Sequence, residues 1–274
     1  PMCGIICVVS RPSARPLPLA VDILDALDRA IAIVAQGNIA EAGRLVAQAD
    51  IALRGEAGLG TLIDNIALVS GLISRIDQLD ALALNAEAQL ESESGLSTRE
   101  VERRSNEMIA LRDAIWSLRN DRLRTAKAVG ELAGKDASAS ARNAYFSIQQ
   151  AFSALDRMEV RGRDSAGVHV LVWGHGLDAT DKRVASLLAG RLDDALFTNG
   201  SVRVGAGNRA WSFVYKAAAE IGELGDNTRA MRAAVASDAL LRLLVSQPSA
   251  RVSILGHTRW ASVGIISEPN AHPV

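Results

Sequence analysis

The sequence predicts an α+β fold: a small strand-bearing core interrupted by a long helical hairpin. Three observations carry this. Cys3 to Val9 is rich in Ile and Val and alternates as a strand does. Thr61 to about Leu90, and Thr98 to Leu118, repeat apolar residues at helical spacing, with a short polar break between them. Alanine and leucine are abundant while aromatics make up only 4% of the chain, a balance that favours helix.

In order, residues 3–9 form the first strand. Ser10 to Pro18 carries three prolines and breaks it. Leu24, Leu27, Ile31 and Val34 step by three and four, which predicts a helix from Leu19 to Gly37-Asn38. A second short helix follows over 39–53 and is ended by Gly55 and Gly58. In the long stretch after Thr61, Ile66, Val69, Ile73, Ile76, Leu79 and Ala83 hold an a/d-like spacing. Ser92 to Ser97 is a polar break. Thr98 is the predicted N-cap of the next long helix, whose face is Val101, Met108, Leu111, Ile115 and Leu118. Two long helices joined by a short polar turn read as an antiparallel hairpin.

Gly134 to Ser140 breaks the pattern again. A helix over 141–159 follows, with Tyr145, Ile148, Phe152, Leu155 and Met158 on its apolar side. Val168 to Trp173 reads as a strand. Residues 174–200 read as irregular with a short helix, and Val202 and Val204 as a brief strand. Trp211 to about Leu244 reads as mostly helical, and Val252 to Leu255 as a short strand.

At 274 residues the chain has room for one large domain or two small ones. Its hydrophobic content of 49% and charged content of 22% are those of a globular protein with a buried core. The net charge of −1 lacks the basic excess of a nucleic-acid binder. No run of about 18 apolar residues predicts a membrane span, and no basic n-region marks a signal peptide. A reducing cytoplasm is therefore expected. Cys3 and Cys7 are the two cysteines. Four residues apart on one strand, they share a face and cannot meet disulfide geometry, so Cys7 is expected as a small core residue. Four scattered histidines show no metal spacing. Gly205-Ala206-Gly207-Asn208 lacks the third glycine of a dinucleotide loop. Asn199-Gly200-Ser201 is a glycosylation site only in a secreted protein.

Three runs carry the chemistry. They are Met2-Cys3-Gly4-Ile5, then Arg161-Gly162-Arg163-Asp164-Ser165-Ala166-Gly167, then Gly256-His257-Thr258-Arg259-Trp260-Ala261-Ser262 closing with Asn270-Ala271-His272-Pro273. A guanidinium holds a carboxylate through two parallel charged hydrogen bonds. A cysteine whose own α-amine is free has a proton acceptor at hand, since thiols titrate above neutrality and α-amines near about 7.7–8.0. Together the two groups would bind and cleave an amino-acid amide such as glutamine.

These runs, in this order, resemble the glutaminase domain of the N-terminal-nucleophile (class II) glutamine amidotransferases. The branch they are most similar to is glucosamine-6-phosphate synthase (glutamine–fructose-6-phosphate amidotransferase). Together the motifs cover about a tenth of the chain. The resemblance implies that Met2 is removed, that Cys3 is the nucleophile, and that a glutamyl thioester forms, releasing ammonia and then glutamate. It implies that Arg259 binds the α-carboxylate, that Trp260 walls the pocket, and that Ser262 supplies a hydroxyl. Arg161, Gly162, Asp164 and His272 are implied as supporting residues. Val263 departs from the histidine common in the synthase. No cofactor and no metal are implied. The implied partners are glutamine and, through a further domain, a sugar-phosphate acceptor. Neither nucleic acid nor membrane is expected.

In the family, Cys3 and the Arg161 run are close in sequence. Here more than 150 residues separate them, so residues 19–140 are expected as a folded helical insertion. It would split the glutaminase core into 1–18 and 141–274 and offer a surface for homo-oligomerisation. The family's oxyanion Asn-Gly pair and amino-group aspartate fall beyond the His-Pro run. Val274 precedes both, so the chain reads as an N-terminal piece, inactive by itself, of a longer protein. Pro1 ahead of Met2 reads as an addition to the native start that blocks the amine. Two other readings stay open: a catalytically degenerate relative serving as a helical scaffold, and an amidotransferase with another acceptor.

Overall fold

A computed structural model describes residues 3–192, 194–218, 223–261 and 264–273 and is α+β. The chain divides into two compact units, one of residues 12–127 and one of residues 1–11 with 128–274. No single helix among the described residues is long and apolar enough to cross a membrane.

The first unit is helical. It holds α1 (Ala20–Val34), α2 (Ile39–Ala52), α3 (Gly55–Leu62), α4 (Ile66–Ser92) and α5 (Thr98–Trp116). Side-chain caps fix three of the starts: Asn38 accepts from Glu41 N, Asn65 from Leu68 N, and Ser97 from Glu100 N. Ser97, not Thr98, is therefore the cap of α5. The inward stripe of α4 is Leu68, Leu72, Ile76, Leu79 and Ala83; it keeps the expected Ile76, Leu79 and Ala83 but takes Leu68 and Leu72 in place of Ile66 and Ile73, which are exposed. The expected break at Gly55 and Gly58 is instead α3, because Gly55 takes φ 69° and lets the chain re-enter a helix at once. Gly43 lets α2 approach α5, since a methyl there would lie 3.4 Å from the Leu111 backbone.

After α5 the helix widens into a π-type stretch, Ser117–Leu123, before α6 (Arg124–Ala133). Arg122 of that stretch donates to the buried Asp50 carboxylate at 2.8 Å, and Arg54 donates to its other oxygen at 3.0 and 2.6 Å.

The second unit is a sheet backed by helices. Its strands are β1 (Gly4–Val9), β2 (Ser165–Trp173), β3 (Val202–Val204), β4 (Ala210–Ala217) and β5 (Arg251–Arg259). Their order is β1-β5-β2-β4-β3, and every neighbouring pair is antiparallel. The unit also holds α7 (Ala139–Met158), α8 (Lys182–Leu188), α9 (Asp226–Ser237) and α10 (Ala239–Val245). Helices α7 and α9 pack on one face of the sheet, where Val168, Val170, Val172, Ile254, Trp211, Phe213 and Tyr215 are buried.

The expected helix over 211–244 is corrected at its first part. Trp211-Ser212-Phe213-Val214-Tyr215 is aromatic and β-branched, and its strand is buried on both sides from Phe213 onward. The alanines that follow bias a helical reading, yet α9 begins only at Asp226. Strand β5 is also longer than expected and carries Gly256 to Arg259 within it.

Candidate functional site

The pairing of β1 with β5 brings the two ends of the chain together. Gly4 lies opposite Thr258 and Ile5 opposite His257. Gly4 N donates to Thr258 Oγ1 at 3.1 Å. Cys3 thus enters the sheet beside the strand end that carries Arg259, and it is exposed. Gly4 has no room for a side chain, because a methyl would lie 2.6 Å from Met158 Sδ and 2.9 Å from Thr258 Oγ1. Cys7 is exposed as well, which corrects its expected place in the core. Cys3, Ile5, Cys7 and Val9 share the face of β1 away from α7 and are exposed among the described residues.

The Arg161 run joins the same end of the sheet. A methyl on Gly162 would lie 3.1 Å from Thr258 Oγ1 and 3.2 Å from the Arg259 carbonyl carbon. Asp164 N donates to Arg259 O at 3.2 Å, and Ala261 N donates to Asp164 Oδ2 at 2.6 Å. The carboxylate of Asp164 therefore ties down the segment that follows Arg259. The Arg161 side chain lies outside the described residues, as do Ser262 and Val263.

Sequence reasoning missed Glu159. This buried carboxylate accepts from Gly225 N and, at 3.3 Å, from Asn227 Nδ2, which also donates to Arg163 O at 2.8 Å. It links the start of α9 to the Arg161–Asp164 turn. Burial raises its pKa, while the Gly225 N–H and the Asn227 amide pull the other way. Its sequence signal was an acid two residues ahead of Arg161-Gly162.

Arg259 is half-buried, and its Nη1 donates to Ile265 O at 3.5 Å. Trp260 beside it is 47% exposed. His272 returns over the sheet: its ring centroid lies 4.7 Å from that of His257, and its carbonyl oxygen sits directly over Gly167, where a methyl would be 1.9 Å from it. The imidazole of His257 is held below its usual range, first by burial and then by His272 and Arg259. Ser165 and Lys216, neither predicted, are buried nearby on β2 and β4. Among the described residues no group of three His, Cys, Asp or Glu is placed to hold a metal ion.

No family model, curated protein or solved structure matches the chain.

The assembled site is a thiol at the end of an edge strand, with a guanidinium on the adjoining strand and a hydrogen-bonded turn behind both. Chemically, a thiol can act as a nucleophile and a guanidinium can hold a carboxylate.

Proposed function

We propose that this chain carries the nucleophile and the carboxylate anchor of a glutamine amidotransferase. Cys3, freed at its amine by removal of Met2, attacks the side-chain amide carbon of glutamine. The α-amine takes the thiol proton and returns it to the departing nitrogen, which leaves as ammonia. Water then cleaves the resulting thioester, releasing glutamate and restoring the thiol. Arg259 holds the α-carboxylate of glutamine through its planar fork. Trp260 and Ser262 complete the pocket, while Asp164, Arg161, Gly162 and His272 support it. The ammonia aminates a sugar phosphate, fructose 6-phosphate to glucosamine 6-phosphate, and the protein works in the cytoplasm.

A single observation supports this reading: the antiparallel β1–β5 register sets Gly4 opposite Thr258, so Cys3 and Arg259, the next residue on each side, come level at one end of the sheet. The experiment is glutamate release from glutamine by the native gene product with Met2 processed. Cys3→Ala is expected to abolish it, and a Cys3→Ala protein that hydrolyses glutamine at the unaltered rate overturns the role.

A further inference from the structure

Gly167 is the centre of a ring of donors that the proposed chemistry at Cys3 does not use. On its face of the sheet its nearest neighbours are Ser165 and His169 along β2, His257 across on β5, and Lys216 across on β4. Residues two apart on a strand lie about 6.5–7 Å apart and cross-strand partners about 4.5–5.5 Å, so all four surround one position. Ser165 is fully buried and Lys216 is 2% exposed. Ser165 Oγ, Lys216 Nζ, His257 Nδ1 and His169 Nε2 are all buried with no hydrogen-bond partner among the described residues. Buried polar groups are nearly always paired, and four orphans around one glycine are a concentrated exception.

The acids closest in charge to Lys216 do not neutralise it by contact. Burial lowers the Lys216 pKa; Asp194 and Glu268 oppose this from a distance, and neither forms an ion pair with it among the described residues. Asp194 is occupied, accepting from Leu196 N at 3.0 Å, Thr198 N at 2.6 Å, Thr198 Oγ1 at 2.6 Å and the Ser201 hydroxyl. Lys216 instead lies 5.7 Å from the Phe197 ring, which it shares with Arg203 at 4.0 Å. The Lys216 amine is thus buried with no acceptor among the described residues.

Into the dent at Gly167 falls one oxygen, the His272 carbonyl, which accepts no hydrogen bond among the described residues. The segment that delivers it lies at the surface, with the His272 side chain exposed.

We infer that the dent at Gly167 is a binding site for a small oxyanion, a carboxylate or phosphate group, held by Lys216, Ser165 and His257 once the His272 carbonyl moves out. An anion brings two or more acceptor oxygens to donors that a single amide oxygen leaves unmet. His169 borders the site from the next position on the same face of β2. The site is independent of whether Cys3 attacks glutamine.

The experiment is a titration of the 274-residue chain with sodium phosphate and, separately, sodium acetate, against sodium chloride at matched ionic strength. The readout is the ring carbon–proton resonances of His257 and His272. Saturable shifts with phosphate or acetate, absent with chloride, are expected, and the anion that saturates names the ligand group. Lys216→Met should weaken binding by about tenfold or more, the worth of a charged hydrogen bond, and Ser165→Ala by less. Far-ultraviolet circular dichroism checks that each variant is folded, and if Lys216→Met is not, Ser165→Ala decides. No saturable shift in the parent chain, or full affinity in the folded variants, overturns the site.

Discussion

Replacing Gly167 by alanine tests how the strap ending at His272 is seated. The new methyl would lie 1.9 Å from His272 O, 2.9 Å from His272 C and 3.2 Å from Pro273 Cδ. A carbon–oxygen contact relaxes only near about 3.4 Å, so the backbone oxygen must retreat by about 1.5 Å. A β-strand bonded on both sides cannot yield that distance, and the surface strap will. Lifting it exposes Ala271, now fully buried, at about 0.8 kcal/mol, and separates the His257 and His272 rings at about 0.5–1.5 kcal/mol. Stiffening of the unfolded chain returns about 0.4–1 kcal/mol. The expected net loss is about 0.3–1.9 kcal/mol, read as a lowered urea midpoint by tryptophan fluorescence. Gly130→Ala is the control of opposite sign. It sits inside α6 with nothing within 4 Å of the added methyl, so it should stabilise by about 0.5–1 kcal/mol. A Gly167→Ala protein at least as stable as the parent, with unmoved His272 ring resonances, would refute the seating.

Arg191 pairs with Asp238 through both carboxylate oxygens, and Tyr215 OH donates to the same acid at 2.7 Å. Burial pushes the Asp238 carboxyl up, but Arg191, the Leu241 N–H and Tyr215 outweigh it and leave it low. Arg191→Met strands that buried charge and should cost about 3 kcal/mol in urea unfolding, and a cost under about 1 kcal/mol speaks against the network. Burial holds His169, His175 and His257 below the usual imidazole value. Their neutral forms favour the fold above the unfolded value of about 6.5, and that stability is lost as pH falls through the lowered folded values. Urea midpoints should therefore drop as pH is taken down from neutrality, and a flat profile would contradict this. Glu159, raised by burial, acts in the opposite sense: its contribution is full below its unfolded value and is lost as pH rises through the folded one. Glu159→Gln should consequently steepen the acid loss, and an unchanged slope counts against its burial.

Much of the fold was legible because local pattern and tertiary packing agree. The alternation of residues 4–9, the helical spacing of 20–34 and 39–52, and the polar break before Thr98 all correspond to elements in the structure. Where they disagreed, packing decided. Strand β4 is buried on both sides and loses the alternation that would have marked it. The stripe of α4 holds at Ile76, Leu79 and Ala83 but differs in its first turns, where Leu68 and Leu72 are buried and Ile66 and Ile73 are exposed. Cys7 faces outward because β1 is an edge strand covered on one face only, which a seven-residue apolar run does not reveal. The three motif runs were visible by residue type, yet Glu159 and Lys216 were not, and Ser165, inside the second run, was given no role. Their importance lies in burial without charge compensation, a property of neighbours that arrive from distant strands.

The motif glycines and the motif thiol stand in different relations to this packing. Gly4, Gly162, Gly167 and Gly256 each sit where a methyl would press within 3.1 Å of a neighbouring atom or closer. Packing alone explains all four. It does not explain Cys3, which is exposed at the end of an edge strand and fills no gap. The pair Gly4→Ala and Cys3→Ser therefore separates architecture from chemistry. Gly4→Ala forces Met158 and Thr258 aside and should cost about 1–3 kcal/mol as overpacking. Cys3→Ser, a surface exchange of similar size, should move stability by less than about 0.5 kcal/mol. Under the glutamine proposal the processed native protein loses all glutamate release with Cys3→Ser at parental stability. Undiminished glutamate release from the serine variant would deny the thiol its chemistry, and a midpoint that falls as far as that of Gly4→Ala would return Cys3 to the class of packing residues.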